Sequence, residues 1–197
     1  SIYGSNESMP YKETDKSDTQ LSFYAASKKS CESMIHTYSH LYKIPSTCFR
    51  FFTVYGPFGR PDMAYFKFTK AIINNEIISV NNNGHMKRDF TYIDDLTKSI
   101  RLLMLKKPIE IKISNKDSLS NSSPFRIVNI GNSKQVSLMT FINVLERLLN
   151  KKSRKKFVKN QKGEVKETFS NCDLLYELVK FRPDTDINEG LKKFINW

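Results

Sequence analysis

Apolar positions recur along the chain with two periods, and the change from one period to the other predicts alternating helices and strands. Between residues 22 and 42 they lie 4 and 3 residues apart on one face, which predicts an amphipathic helix that Pro45 ends. Residues 47–55 (TCFRFFTVY) are rich in aromatic and β-branched side chains. We therefore expect a buried strand there, closed by Gly56 and Pro57.

The rest of the chain continues this alternation. Short strands are predicted at residues 77–80, 90–93 and 126–130. Helices are predicted at 66–74, 96–106, 137–149, 173–179 and 187–196, with Asp94 or Asp95 capping the second of them and Ser137 the third. Strands that alternate with helices favour an α/β fold.

Composition excludes several classes of protein. The 197 residues are 39% hydrophobic and include 14 Phe and 9 Tyr, which is too apolar for a disordered chain. No apolar run approaches the roughly 20 residues of a membrane span, and no secretory leader is recognisable. The three cysteines form no C-x-x-C pair. We therefore expect a protein of the reducing cytoplasm, neither secreted nor bound to a membrane.

The net charge of +12 is concentrated in one stretch. Residues 151–166 contain eight Lys or Arg side chains against one acidic residue, Glu164. Clustered lysines attract polyanions, and such binding would depend steeply on salt. The stretch has a single aromatic residue, Phe157, and no nucleic-acid-binding motif. A solvated loop and strand edge is therefore the preferred interpretation, and nucleic acid is not an expected partner.

The helix predicted at 22–42 carries the first candidate for chemistry. Tyr24 and Lys28 are one helical turn apart and share a face. A free phenol has a pKa of about 10 and is a poor base at neutral pH, but a fixed cation nearby favours the phenolate. The pair can be a general acid and base with its electrostatic partner. A packed tyrosine beside a solvated lysine is the commoner arrangement.

Two other groups on this helix are weaker candidates. Glu32, His36 and His40 are spaced i, i+4 and i+8, and histidines four residues apart can bind zinc. The H-E-x-x-H motif is absent, so we expect a solvent or subunit contact here and no metal. Cys31 lies on the face of Tyr24, but no histidine is placed to activate it. We interpret it as a core thiol.

Several motifs elsewhere in the chain favour a catalytic role for the Tyr24–Lys28 pair. They are IYG at 2–4, YAASKK at 24–29, RFFTVYGP at 50–57, GRPDMA at 59–64, KRDFTYIDD at 87–95 and VNIGN at 128–132. In this order and spacing the chain resembles the extended short-chain dehydrogenase/reductase family of nucleotide-sugar epimerases and dehydratases. Within that family it is most similar to the UDP-glucuronate 4-epimerases, and the resemblance covers nearly the whole chain.

The resemblance implies an NAD-dependent reaction. Tyr24 would take the proton of the sugar 4-hydroxyl while C4 passes a hydride to NAD. Lys28 would hold the nicotinamide ribose and favour the phenolate. The cofactor would supply the redox chemistry and the protein the acid and base.

The resemblance also implies substrate-binding residues. Thr53 and Arg60 stand where these epimerases hold the sugar carboxylate, for which the rigid fork of arginine is suited. Arg88 matches the arginine that grips the diphosphate. Glu164 replaces the acid of a Pro-Gly-Asp pattern that reaches the uridine ribose, and Asn81 replaces an aromatic residue that stacks on uracil. These two departures leave the preference for uridine open.

The largest departure from the family is the Gly-rich turn. None of the seven glycines forms G-x-G-x-x-G or G-x-x-G-x-x-G, the turn whose amides receive a dinucleotide pyrophosphate. The family's catalytic Ser or Thr stands four residues before the tyrosine of its V-Y-G motif, which here would precede Ser1. We therefore expect a C-terminal portion that needs the missing N-terminal segment, in cis or in trans, for catalysis.

The expected architecture is the C-terminal part of a doubly wound Rossmann-type α/β sheet plus a smaller mixed α/β substrate-binding lobe. Residues 1–60 would belong to the NAD-binding domain and 61–197 mainly to the lobe, with about 88–106 returning to the sheet. The expected function is that of a UDP-glucuronate 4-epimerase portion, inactive alone, with a UDP-sugar substrate and a homodimer through the 22–42 helix.

Two alternatives stay open. One is a catalytically dead fragment that only binds a sugar nucleotide. The other is a relative of the 4,6-dehydratases, which carry an acidic pair just before the catalytic tyrosine. Ser22 and Phe23 occupy those positions here, which favours epimerisation.

Overall fold

The computed structural model describes residues 1–108, 111–159 and 165–197. The helices are α1 Phe23–Tyr42, α2 Ala64–Ile73, α3 Ile93–Met104, α4 Leu138–Leu149, α5 Asp173–Val179 and α6 Ile187–Asn196. The strands are β1 Ser46–Phe51, β2 Thr53–Tyr55, β3 Ile77–Val80, β4 Lys87–Tyr92, β5 Phe125–Ile130, β6 Gln135–Ser137 and β7 Arg154–Phe157. The predicted α/β class is confirmed.

The strand predicted at 47–55 is divided between two sets of partners. β1 pairs in parallel with β5, and β2 pairs in parallel with β4. Between them Phe52 still donates its N–H to the carbonyl of Ile130 at 3.3 Å. β4 also pairs with β6, in the antiparallel sense. The chain therefore changes neighbours at Phe52, and Thr53 follows directly after this junction.

The prediction that this whole strand is buried was wrong for β1. Cys48 and Arg50 are buried, whereas Phe51 is 48% exposed. Within the described part of the chain, β5 is the sole strand that pairs with β1. One edge of β1 is therefore left without a strand neighbour, and the side chains beside it are incompletely covered.

The basic stretch contains β7, which pairs in parallel with β3. Its neighbour Glu146, on α4, is buried and accepts hydrogen bonds from Ser153 N at 3.0 Å and Ser153 Oγ at 2.6 Å. Lys155 and Lys152 also bind this carboxylate. Two of the clustered lysines are thus paired with an acid that lies outside the stretch.

Of the two helix-capping predictions, one is confirmed and one was wrong. Ser137 caps α4 as predicted, since its Oγ accepts the N–H of Thr140 at 3.0 Å. The prediction that Asp94 or Asp95 caps the next helix was wrong, because the helix starts earlier and both residues lie inside its first turn. Asp95 instead accepts the backbone N–H of Thr185 at 3.0 Å.

Two apolar clusters form most of the interior. The first joins β2, β4, α2, α4 and α6, and includes Tyr55, Phe90, Phe141, Leu145, Leu191 and Phe194. The second joins α3, α5 and β5, and includes Leu96, Leu103, Val128, Ile130, Leu174 and Leu175. The described helices include none that is both long enough and apolar enough to cross a membrane.

Helix α1 contributes little to either cluster. Of its 20 residues, Ala25, Glu32 and Ser39 are buried. The face predicted from the apolar spacing is exposed instead, with Tyr24, Tyr38 and Tyr42 each more than 60% accessible. The interpretation of Cys31 as a core thiol was wrong, because Cys31 shares this face and is exposed.

Candidate active site

A cavity of about 770 Å³ lies between α1, β1, β4 and the first residues of the chain. Its lining includes four of the six residues singled out in the sequence, namely Tyr24, Lys28, Thr53 and Arg88. Tyr24 and Lys28 come from the first turns of α1, Thr53 from the start of β2 and Arg88 from β4. Residues far apart in sequence therefore meet around one space.

The start of α1 sets the position of the Tyr24–Lys28 pair. Ser22 adopts an extended conformation, and its Oγ accepts the N–H of Ala25 at 3.2 Å, so that the helix begins at Phe23. Lys28 Nζ lies 5.4 Å from the centroid of the Tyr24 ring, as their spacing of one turn predicts. Tyr24 is 63% exposed, so its phenol is open to a ligand in the cavity.

A buried ion pair holds α1 against β1. Arg50 Nε donates to Glu32 Oε1 at 2.7 Å, and Arg50 Nη2 donates to Glu32 Oε2 at 2.9 Å. Burial by itself lowers the pKa of Arg50, but the bonds to Glu32 outweigh burial and raise it. Glu32 lies one turn beyond Lys28, so this two-pronged bond fixes the rotation of the helix that carries Tyr24.

The first residues of the chain form a wall of the cavity through Tyr3. The Tyr3 ring lies under the Arg50 guanidinium at 4.8 Å and stacks on Tyr11 at 4.4 Å. Its hydroxyl donates to Asn129 Oδ1 at 2.6 Å. Beside it the Glu13 carboxylate accepts the N–H of Asn129 at 2.9 Å, and burial raises the pKa of Glu13 to about 7.

Arg88 lies between this cavity and a second one. The second cavity has a volume of about 880 Å³ beside α2 and β3, and Thr53, Met63, Asn81 and Arg88 are among its lining residues. Thr53 pairs with Phe90 in the register of β2 and β4, which places it next to Arg88. Thr53, Met63 and Arg88 line both cavities. A ligand that extended through both would therefore pass these three side chains.

Two predicted site residues are not part of this arrangement. Arg60 lines neither cavity; its side chain is 74% exposed, and its Nε lies 3.4 Å from Asp62 Oδ1. Glu164 lies outside the described residues.

Glu32, His36 and His40 do not converge on one point. Glu32 binds Arg50, His36 Nε2 lies 2.9 Å from Ser120 Oγ, and His40 Nδ1 lies 2.8 Å from the Ser122 carbonyl. The expectation that this face meets solvent or another subunit was wrong for Glu32, which is buried against β1. His40 is exposed, although its ring contacts the loop before β5. Among residues 1–108, 111–159 and 165–197 there is no cluster of three or more His, Cys, Asp or Glu that could hold a metal.

The sequence is similar to a known family and to several curated proteins. A profile of the NAD dependent epimerase/dehydratase family matches residues 1–117. Protein CapI of Staphylococcus aureus is 49% identical over 201 residues, covering 100% of this chain and 60% of that protein. A probable UDP-glucuronate 4-epimerase of Rhizobium meliloti (strain 1021) is 47% identical, covering 100% of this chain and 59% of that protein.

A solved structure shows the same fold. The UDP-glucuronic acid 4-epimerase of Bacillus cereus, in complex with UDP-glucuronic acid and NAD, superposes with a TM-score of 0.84 at 29% identity. The match covers 99% of this chain and 57% of that one. The chain thus spans about 60% of the length of the curated relatives it matches.

Proposed function

Because the chain belongs to the NAD dependent epimerase/dehydratase family, we propose that it is the substrate-side portion of a UDP-glucuronate 4-epimerase. The reaction would interconvert UDP-glucuronate and UDP-galacturonate through a 4-keto sugar. The observation that carries this proposal is the cavity in which Tyr24 and Lys28 meet Thr53 and Arg88. The likeness to relatives named as UDP-glucuronate 4-epimerases supports the choice of substrate.

The residues at the start of α1 fit one end of NAD. Tyr24 and Lys28 present a hydroxyl and an ammonium to the same cavity, and both groups can donate hydrogen bonds to ribose hydroxyls. When bound, NAD supplies the hydride chemistry at C4 of the sugar. The 197 residues contain no Gly-rich turn for a pyrophosphate. We therefore propose that holding the whole dinucleotide requires residues other than these.

Proton transfer belongs to Tyr24. Its phenolic oxygen takes the proton of the sugar 4-hydroxyl and returns it once the 4-keto sugar has presented its other face. Lys28 stabilises the phenolate by its charge and orients the ribose. The Glu32–Arg50 pair keeps the helix turned so that both groups point into the cavity.

Substrate binding is assigned to Thr53, Arg60, Arg88 and Glu164. Arg88 offers its charge to the diphosphate from a position between the two cavities. Arg60 would exchange Asp62 for the sugar carboxylate. That exchange costs little, because an exposed ion pair is worth only about 0–1 kcal/mol. Glu164 is assigned to the uridine ribose from the sequence alone.

The wider organisation is part of the proposal. Residues 1–60 belong to the NAD-binding domain and 61–197 mainly to the substrate-binding lobe, with 88–106 at the sheet, as the pairing of β4 with β2 supports. A homodimer through α1 fits the apolar side chains that this helix exposes, such as Met34 and Leu41. We place the protein in the cytoplasm.

A coupled assay of UDP-glucuronate to UDP-galacturonate conversion tests the activity. The 197 residues alone should give no turnover, and addition of the N-terminal segment of a relative should restore it. In the restored system Tyr24→Phe should abolish turnover while UDP-glucuronate binding stays within about twofold of the unsubstituted protein, since only the acid-base hydroxyl is lost. Tyr38→Phe, on the same exposed helix face, is the matched control and should keep full turnover.

Binding without turnover is the second candidate function, which the absence of a Gly-rich turn favours. Calorimetry with UDP and UDP-glucuronate separates the two functions. A binding protein would give a heat of binding that Arg88→Met removes. It would also show no turnover after the N-terminal segment is added. No heat at millimolar ligand would contradict both functions. Appreciable turnover by the 197 residues alone would contradict the requirement for further residues.

A further inference from the structure

The carboxylate of Asp89 is completely buried and has no part in the proposed reaction. Asp89 follows Arg88 on β4 and is 0% exposed. Its Oδ1 accepts the N–H of Asn132 at 2.8 Å. Its Oδ2 accepts the N–H of Ser133 at 3.1 Å, the N–H of Ser170 at 2.9 Å and the Ser170 hydroxyl at 2.5 Å. All four of these donors are neutral, so directed hydrogen bonds take the place of an opposite charge.

These bonds join three separate parts of the chain at one point. They are β4, the turn after β5 that contains Gly131, and the residues before α5 that contain Ser170. The approach is close enough to require glycine, because a Cβ on Gly131 would lie 2.3 Å from Ser170 Oγ and 3.1 Å from Asp89 Oδ2. The backbone N–H of Asp89 adds a bond to Thr168 Oγ1 at 3.1 Å.

The segment that Asp89 holds continues alongside β4 as far as Arg88. The N–H of Lys87 donates to the carbonyl of Lys166 at 3.1 Å, and the N–H of Thr168 donates to the carbonyl of Lys87 at 3.2 Å. The Lys166 carbonyl also accepts a bond from Arg88 Nη1 at 2.9 Å. The same Nη1 also donates to the Lys87 carbonyl at 3.0 Å. The guanidinium is thus held from its own strand and from residues 166–168, and Ser170 anchors the latter.

We propose that Asp89 is a positioning residue for Arg88. By fixing Ser170 and residues 166–168 against β4, it sets the place of the Lys166 carbonyl and so aims the Arg88 guanidinium between the two cavities. Val165 and Thr168, which line the first cavity, are held by the same anchor. The inference rests on the proposed function only for the identity of the anion, which is the diphosphate of a sugar nucleotide.

Ser170→Ala is the first test, because it removes one of the four bonds to Asp89 and keeps the backbone donor. Asp89→Asn is the stronger variant, since its amide group replaces an acceptor that faces backbone N–H groups. Ser99→Ala is the matched control: Ser99 is also fully buried, and its Oγ donates to the carbonyl of Asp95 at 2.7 Å within α3.

The first readout needs no ligand. NMR of protein labelled with ¹⁵N-arginine measures the rotation of the Arg88 guanidinium, whose signal is identified by its loss in Arg88→Lys. We expect rotation to become about fivefold faster in Ser170→Ala, the effect of losing about one hydrogen bond of support, and faster still in Asp89→Asn. Ser99→Ala should match the unsubstituted protein.

The second readout is binding. The affinity for UDP should fall about fivefold or more in Ser170→Ala. The affinity for uridine, which lacks the diphosphate, should not change. An unchanged guanidinium signal in both variants would overturn the proposal, even if the free energy of unfolding fell. If Asp89→Asn does not fold, Ser170→Ala decides. If the unsubstituted protein binds no UDP, the proposed function fails, while the ligand-free NMR result still decides the role of Asp89.

Discussion

Arg50 and Asp89 show two ways of burying a charged side chain on a strand. Arg50 is paired with the opposite charge of Glu32, whereas Asp89 is satisfied by neutral donors from two turns. Leaving either group without partners would cost several kcal/mol, because an isolated charge is poorly solvated in a protein interior. Both charges therefore fix the geometry around them. Arg50 lines the first cavity, and Asp89 follows Arg88, which also lines it.

Glu13 gives a pH dependence that can be measured at this scale. Its pKa is raised by burial from an ordinary 4.5 to about 7. Between pH 4.5 and 7 the folded protein binds a proton that the unfolded chain releases, so its free energy of unfolding falls as the pH rises through this window, by up to about 3 kcal/mol. Glu13→Gln should remove this fall, as urea unfolding below pH 4.5 and above pH 7 would show.

The control for that experiment is Glu7→Gln, which changes an exposed carboxylate in the same segment. It should leave the pH dependence as it is. A Glu13→Gln variant with the same pH profile as the unsubstituted protein would contradict the burial argument.

At the scale of elements, β7 depends on a side chain of α4. Glu146 reaches from α4 to Ser153, Lys152 and Lys155 and so holds the start of the basic strand. Burial by itself raises the pKa of Glu146, but the bonds from Lys155 and Ser153 outweigh burial and bring it to about 2. The carboxylate thus stabilises the fold above pH 4.5, and this contribution is lost as the pH falls towards 2.

Glu146→Gln should therefore lower the free energy of unfolding by about 2 kcal/mol at neutral pH. The difference from the unsubstituted protein should shrink as the pH approaches 2, which acid titration followed by circular dichroism would measure. Lys152→Gln, at a side chain that is 92% exposed, should cost less than about 0.5 kcal/mol. Equal losses in both variants would contradict a specific role for Glu146.

The exposed apolar face of α1 predicts self-association. Tyr38 and Tyr42 contact each other at 5.6 Å between ring centroids, and Leu41 beside them is 64% exposed. Burying such side chains against a second copy removes apolar surface from water. Leu41→Glu should shift the protein from dimer to monomer in sedimentation equilibrium. Ser33→Glu, an exposed change on the side of the helix opposite Tyr42, should not. A monomer before any substitution would contradict this prediction.

For the whole molecule, the distribution of buried side chains predicts which parts open first. Helix α4 buries five of its 12 residues, whereas α1 buries three of 20. Local stability follows the number of buried contacts. Native-state hydrogen exchange should therefore be slowest in α4 and fastest, among the longer helices, in α1. Protection of α1 that rises with protein concentration would agree with association through this helix, and protection equal to α4 in the monomer would contradict the argument.

The parts of the fold that the sequence predicted correctly are those that local interactions determine. The helices 173–179 and 187–196 and the strand 77–80 were predicted to the residue, because local periodicity determines them. The division of the strand 47–55 at Phe52 was not predicted, because it follows from pairing with strands more than 30 residues away.

The site shows the same limit. The spacing of Tyr24 and Lys28 placed them together correctly, because one helical turn is a local fact. The need of Arg50, at the centre of TCFRFF, for a buried partner was missed, and nothing local identified Glu32. Cys31 was misjudged as a core thiol because an apolar stripe has the same pattern whether its own chain or another covers it.

The edge of β1 that no described strand pairs with has a consequence for the behaviour of the molecule in solution. Its peptide N–H and C=O groups lie beside the stacked rings of Phe49 and Phe51, 5.9 Å apart. A row of this kind accepts any extended peptide of suitable length. Copies of the protein that paired at this edge would form fibres. A short synthetic peptide that pairs with β1 in register would occupy the edge and prevent the fibres.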